Sequence, residues 1–184
     1  GHAVLTALPA LGRAVGDDPG AHVLILAGDV PLVRSEDLAH LLRAHSAHAS
    51  APLALLTATL PDATGYGRIL REGEGGDVVG IKEHRDCTDD EREIREWNPA
   101  LYVVRFGFLA QHLPTLRPDN AQGELYLTDL VGRAAREGGV VDRPVDSATV
   151  EGINDRAQLA AVDARLLRTI ARQHQIAGVT VRDP

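Results

Sequence analysis

Apolar residues fall along this chain in two spacings, and the switches between them mark the elements. Val4, Leu5, Leu8 and Leu11 recur at helical intervals, which predicts a helix over 1–15. From His22 to Ala27 the residues are almost continuously apolar, the pattern of a strand buried on both faces of a parallel sheet. That run ends in Gly28-Asp29-Val30-Pro31. Ser35 followed by Glu36 and Asp37 reads as an N-cap with acids suited to the positive end of a helix, whose apolar face is Leu38, Leu41 and Leu42. Residues 52–60 form a second buried run. The order helix, strand, helix, strand predicts an α/β fold with a mostly parallel sheet.

After Pro61 the pattern changes. Thr64-Gly65-Tyr66-Gly67 is a turn, and 68–72 and 78–83 are strand-like, joined by the glycine-rich 73–76. This predicts a β-hairpin insertion. Thr88 and Glu91 are spaced as a capping box opening a short charged helix. Residues 101–104 are strand-like, and 127–136 are helical up to Gly138-Gly139. Asp155 begins the longest helix, with Leu159, Val162, Leu166 and Ile170 on one face, stopping near Gly178. With no repeat or linker in view, 1–184 reads as a single domain.

Aromatic residues are only 3% of the chain, so Leu, Val, Ile and Ala must fill the core. A net charge of −7 argues against a nucleic-acid partner but not against a nucleotide, which needs only a local site. Cys87 is the single cysteine, so no internal disulfide forms, in keeping with a reducing cytoplasm. No apolar run approaches the ~20 residues of a membrane helix, and no signal peptide is visible. Met is absent, so the chain is expected to be a fragment or to have lost leading residues.

Candidate chemistry lies at the ends of these elements. Asp29 sits at the carboxyl end of a strand, where α/β sheets bind ligands, and offers a hard oxygen to Mg²⁺; a strand-end turn residue is the alternative. Gly67 belongs to a loop that exposes backbone N–H groups, or to a plain turn. Glu83, Glu96 and Asn98 carry groups that hydrogen-bond sugar hydroxyls, or are solvated surface. Asn154 stands at a helix start as a cap or a metal ligand, and Thr128, near Glu124 and Tyr126, stands at another. His45 and His48 share a helical face without a carboxylate and read as solvated. No Ser-His-Asp arrangement or G-x-G-x-x-G fingerprint supports a hydrolase or a dinucleotide site.

The motifs gain meaning from their order. Leu26-Ala27-Gly28-Asp29-Val30-Pro31-Leu32 is followed by Thr64-Gly65-Tyr66-Gly67-Arg68-Ile69 and by Gly80-Ile81-Lys82-Glu83-His84-Arg85-Asp86. Ile94-Arg95-Glu96-Trp97-Asn98 comes next, then the run from Asn120 to Asp129, then Glu151-Gly152-Ile153-Asn154-Asp155-Arg156. Gly178-Val179-Thr180 and Asp183-Pro184 close the series. Together they resemble, over essentially the whole chain, the uridyltransferase domain of the bifunctional bacterial N-acetylglucosamine-1-phosphate uridyltransferase / glucosamine-1-phosphate acetyltransferase family.

The resemblance implies a Rossmann-like nucleotidyltransferase fold. It implies transfer of a uridylyl group from UTP to N-acetylglucosamine 1-phosphate in the cytoplasm, giving the cell-wall precursor UDP-N-acetylglucosamine and pyrophosphate. It implies Mg²⁺ held by Asp29 and Asn154, and sugar-nucleotide contacts from Gly67, Glu83, Asn98, Tyr126 and Thr128. It also implies a homotrimer of the full-length protein, assembled through a β-helix acetyltransferase domain beyond this chain. The family's basic, glycine-rich N-terminal loop, which binds the triphosphate, is absent from this sequence, so the chain alone is expected to be inactive. Where the family follows the Asn with a small residue and Gly, this chain has Pro99-Ala100, expected to weaken sugar binding modestly. A catalytically idle nucleotidyltransferase-like binding module, and an enzyme for another sugar phosphate, remain as alternatives at this point.

Overall fold

The structure is a computed structural model and describes residues 1–16 and 18–182; Asp183 and Pro184, which end the motif series, lie outside the described residues. Helix α1 (His2–Val15) leads into β1 (His22–Ile25), α2 (Ser35–Ala47) and β2 (Leu53–Thr59). Strands β3 (Arg68–Arg71) and β4 (Val78–Lys82) follow, then the short α3 (Asp89–Arg92) and β5 (Glu96–Trp97). The chain continues through β6 (Tyr102–Arg105), α4 (Phe106–His112), α5 (Asp129–Glu137), β7 (Val140–Pro144) and the long α6 (Arg156–Ile176).

An α/β fold is what forms, but the expected mostly parallel sheet does not. Strand β6 enters between β1 and β2 and runs antiparallel to both, pairing Val104 with Val23 on one side and with Leu53 on the other. Among the described residues only β2 and β7 pair in parallel, with Leu53 opposite Val140 and Thr57 opposite Pro144. Strands β1, β2 and β7 therefore share one direction, as the helix–strand alternation suggests, and β6 reverses it in the middle. An apolar run records burial on both faces and carries no information about strand direction, which is why the pattern misled. Strands β3 and β4 pair antiparallel, with Ile69 opposite Ile81, and β5 joins them to the far end of β2 through Ala58 and Trp97.

The pleat divides β2 between two cores. Leu53 and Leu55 point to one face, where Tyr102, Val104, Leu109, Leu130 and Val131 are buried and Val4, Leu5, Leu8 and Leu11 of α1 pack half-buried. Ala54, Leu56 and Ala58 point to the other, with Leu41 of α2, Trp97, Leu101, Val103 and Val150. Alternation along one strand thus serves helices on both faces, giving three layers.

Several local expectations resolve into specific bonds. The Thr88–Glu91 capping box forms with both of its hydrogen bonds. Ser35 is the first helical residue of α2 rather than its cap. In its place Arg34 donates from Nε and Nη2 to Asp37 at 2.8 and 3.0 Å, a two-pronged bridge over the first turn. Arg71 ties the β3–β5 part of the sheet to the main part: its Nη2 lies 2.7 Å from Glu96 and 2.7 Å from Asp142 of β7. Glu96 is thereby committed to an ion pair and leaves the set of sugar-binding candidates. Among the described residues no helix is long and apolar enough to cross a membrane.

His45, expected on a solvated face, is fully buried and packs at a tilt against His22 with ring centroids 4.9 Å apart. Its Nε2 lies 2.9 Å from the Ala51 carbonyl, so that nitrogen carries the proton and donates. Burial holds its pKa down at about 4, against the opposing pull of the Ala51 carbonyl, with His22, Arg105 and His48 lowering it further. Between pH 6.5 and about 4 the unfolded chain takes up a proton here that the native fold refuses. Stability is therefore expected to fall as pH drops through that window, by as much as about 3 kcal/mol. Urea unfolding at successive pH values, compared with His45→Gln, measures this; the variant should show a flatter acid branch.

Candidate active site

Two distant segments meet at the carboxyl end of β1. The chain leaves the strand through Gly28-Asp29, and the Ile153 amide donates to the Asp29 carbonyl at 2.9 Å. Gly152 is buried against Asp29: a Cβ added to this glycine would stand 3.5 Å from Asp29 Oδ2. Asp155 caps α6, accepting from the Gln158 amide at 2.7 Å. Asn154 is thus released from capping, and its side chain stands exposed two residues beyond Gly152. Asp29 lines a cavity of about 130 Å³ with Tyr66, Trp97, Asn98, Ala100 and Gly152; Asn154 is not part of its lining.

Next to it opens a larger cavity of about 350 Å³, whose walls include Glu83, Asn98, Tyr102, Tyr126 and Thr128. Ala27, Asn98 and Ala100 line both cavities, so the two are neighbours. Four of the five expected sugar-nucleotide contacts are gathered here from β4, the end of β5 and the approach to α5. Gly67, the fifth, packs behind Glu83. A side chain at Gly67 would press on Ile81 at 3.1 Å and on the Glu83 carboxylate at 3.3 Å, so the glycine provides room for that carboxylate.

Glu83 has its pKa raised by burial, while a hydrogen bond from Thr128 works against the shift. Thr128 Oγ1 donates to Glu83 Oε1 at 2.9 Å. Although Thr128 occupies the N-cap position of α5, its side chain caps nothing and serves Glu83 instead. Tyr126 is carried by a turn that one side chain builds. Asn120 Oδ1 accepts from the amides of Gln122 and Glu124 at 3.1 and 3.2 Å, while its Nδ2 donates to the Glu124 carbonyl at 2.6 Å. Asp86 anchors that turn by accepting from the Ala121 amide at 3.0 Å, and Gln122 Nε2 donates to the Tyr126 hydroxyl at 2.9 Å.

Asn98 is buried, and its amide is fixed at both ends. Oδ1 accepts from the Ala100 N–H at 3.1 Å, and Nδ2 donates to the Tyr102 hydroxyl at 2.6 Å. The first bond requires Ala100 to turn into the left-handed region, with φ at 58°, the only non-glycine residue so placed among those described. The Pro99-Ala100 departure therefore keeps the loop geometry that a glycine would take freely, at the cost of backbone strain. Tyr102 had no flag in the sequence, where a tyrosine in an apolar strand reads as core.

The fold is that of sugar-nucleotide and related nucleotidyltransferases. The structure matches a putative glucose-1-phosphate thymidylyltransferase from Bacillus anthracis with a TM-score of 0.61 at 18% identity, over 86% of this chain and 58% of that one. It matches a CMP:2-keto-3-deoxy-manno-octonic acid synthetase with a TM-score of 0.60 at 18% identity, over 88% of this chain and 67% of that one. Within that class the chain is similar, over its whole length, to part of the bifunctional GlmU proteins. It is 49% identical over 185 residues to the bifunctional protein GlmU of Sorangium cellulosum, covering 99% of this chain and 37% of the relative. It is 51% identical over 189 residues to that of Mycolicibacterium vanbaalenii, covering 100% of this chain and 37% of the relative. The chain thus spans a little over a third of the length of these relatives. No family model matches the chain.

Relief of the strain at Ala100 is directly measurable. Ala100→Gly is expected to raise stability by about 1 kcal/mol, the left-handed penalty less the extra chain entropy of glycine. The shift should appear as a higher urea midpoint with an unchanged slope.

Proposed function

We propose that this chain carries the uridylyl-transfer site of an enzyme that joins UTP and N-acetylglucosamine 1-phosphate, giving UDP-N-acetylglucosamine and pyrophosphate. One observation carries the reading: in a chain similar to part of GlmU, the Asp29–Gly152 junction lies beside a cavity walled by Glu83, Asn98 and Thr128. Glu83 and Asn98 suit a polyhydroxylated ligand, because each retains hydrogen-bonding capacity after its bonds within the fold.

The reaction needs little covalent help from the protein. A phosphate oxygen of the sugar phosphate attacks the α-phosphorus of UTP; the new P–O bond forms as the bond to the bridging oxygen of pyrophosphate breaks. The attacking oxygen is already anionic, so no general base is required, and the protein acts by positioning and charge neutralisation. Glu83 and Asn98 orient the sugar, Gly67 leaves Glu83 its room, and Tyr126 and Thr128 close the wall behind it. Asp29 and Asn154 are suited to Mg²⁺, since both present hard oxygens at the surface and this ion binds through one or two protein ligands together with phosphates and water. Bound there, Mg²⁺ would supply neutralisation of phosphate charge. Among the described residues no group of three or more His, Cys, Asp or Glu offers a competing metal site.

Pyrophosphate release in the full-length protein, with Mg²⁺, UTP and N-acetylglucosamine 1-phosphate, tests the assignment. Asp29→Asn is expected to lower kcat by roughly 100-fold or more with the thermal midpoint unchanged. If the unaltered protein releases no pyrophosphate with this pair but does so with a different sugar phosphate, the substrate is wrong while the class stands.

A further inference from the structure

We propose that Tyr102 is a specificity-determining contact of the sugar subsite, donating its hydroxyl proton to a hydroxyl oxygen of the bound sugar phosphate. The proposal rests on the function proposed above and names a residue that lies outside the motifs of the sequence. Its starting point is the orientation of the Asn98 amide. Oδ1 must face the Ala100 N–H, because that group can only donate. Nδ2 is then the atom 2.6 Å from the Tyr102 hydroxyl, so the tyrosine oxygen is the acceptor in that bond. A phenol has one proton to give, and among the described residues no group receives it.

Tyr102 is 2% exposed and still lines the 350 Å³ cavity together with Glu83 and Asn98, so the cavity offers a place for an acceptor of this proton. A buried donor left without an acceptor is unfavourable, and a ligand oxygen removes that cost. Burial pushes the phenol above its ordinary range, and the nearby Glu83 charge adds to the effect, so the group remains a donor throughout the neutral range. Glu83 shares the cavity, and its only hydrogen-bonded side-chain partner among the described residues is Thr128. The unpaired Glu83 oxygen accepts and Tyr102 donates. A single sugar hydroxyl placed between them satisfies both, giving its own proton to Glu83 while receiving that of Tyr102. An apolar or hydroxyl-free group in the same position would leave two buried polar atoms unpaired, and this is how the pair selects a sugar.

Steady-state kinetics of the full-length protein test the idea with Tyr102→Phe. The KM for N-acetylglucosamine 1-phosphate is expected to rise roughly three- to tenfold, with the KM for UTP unchanged. Monodeoxy analogues of the sugar phosphate locate the contact: for one of them the parent and the variant should become equal. A penalty that is the same for every analogue would mean that Tyr102 acts only by holding Asn98, and no penalty would mean that water alone meets its proton; either overturns the proposal. Should the phenylalanine variant fail to fold, 3-fluorotyrosine placed at position 102 retains the shape and strengthens the donor. The sugar phosphate KM should then fall, and an unchanged value overturns the proposal. A parent protein inactive with UTP and this sugar phosphate would instead remove the functional reading.

Discussion

Everything in this fold is referred to the backbone of β2. One of its edges is paired along 53–57 with β7, and the other is shared, β6 taking 53–55 and β5 taking 58–59. From Leu53 to Ala58 every side chain is buried, alternating between the two cores. A strand with both edges and both faces occupied has no freedom of register, because a slip of one residue would exchange the two cores. That fixed register sets Trp97, and hence Asn98 directly after it, against the end of the sheet where Asp29 emerges.

The site lies across the joint between two parts of the sheet. β1, β6, β2 and β7 carry Asp29, while the β3–β5 part carries Gly67, Glu83 and Asn98. The direct strand pairing between the parts is the short Ala58–Thr59 register with β5. The Arg71 guanidinium adds a charge-assisted link, reaching Glu96 on one side and Asp142 on the other while only about a fifth exposed. A partly buried and fully partnered arginine of this kind fixes orientation more than it adds stability. The orientation it fixes is that of the wall bearing Glu83 and Asn98 relative to the strand end bearing Asp29.

Around Asn98 the chain accepts strain for position. Ala100 holds a backbone conformation that glycine takes without cost, and its N–H secures the amide oxygen that turns Nδ2 toward Tyr102. The proline before it lacks a donor, but Asn98 asks nothing of that residue. A substitution that looks disruptive against the family pattern leaves the local hydrogen bonding intact and transfers the cost to a single φ angle.

By itself the sequence determined the helices α1, α2, α5 and α6, the strands from β1 to β4 and β6, the capping box, and an order of motifs specific enough to name a family. All of these are written in residues a few positions apart, through helical or alternating periodicity and turn chemistry. Strand direction was not legible, nor were β5, too short to carry a pattern, and β7, whose polar half masks it. Ser35 and Thr128 looked like caps, and only the packed chain shows Arg34 closing one helix and Thr128 turned toward Glu83. The same holds for the meeting of Asp29 with Gly152, for the burial of His45 and for the bond from Asn98 to the Tyr102 hydroxyl. Each depends on contacts between residues far apart in the chain or on the depth of burial, and neither is encoded in the spacing of neighbouring residues. Tertiary structure decides them because a side chain's chemistry is completed by whatever the fold places beside it.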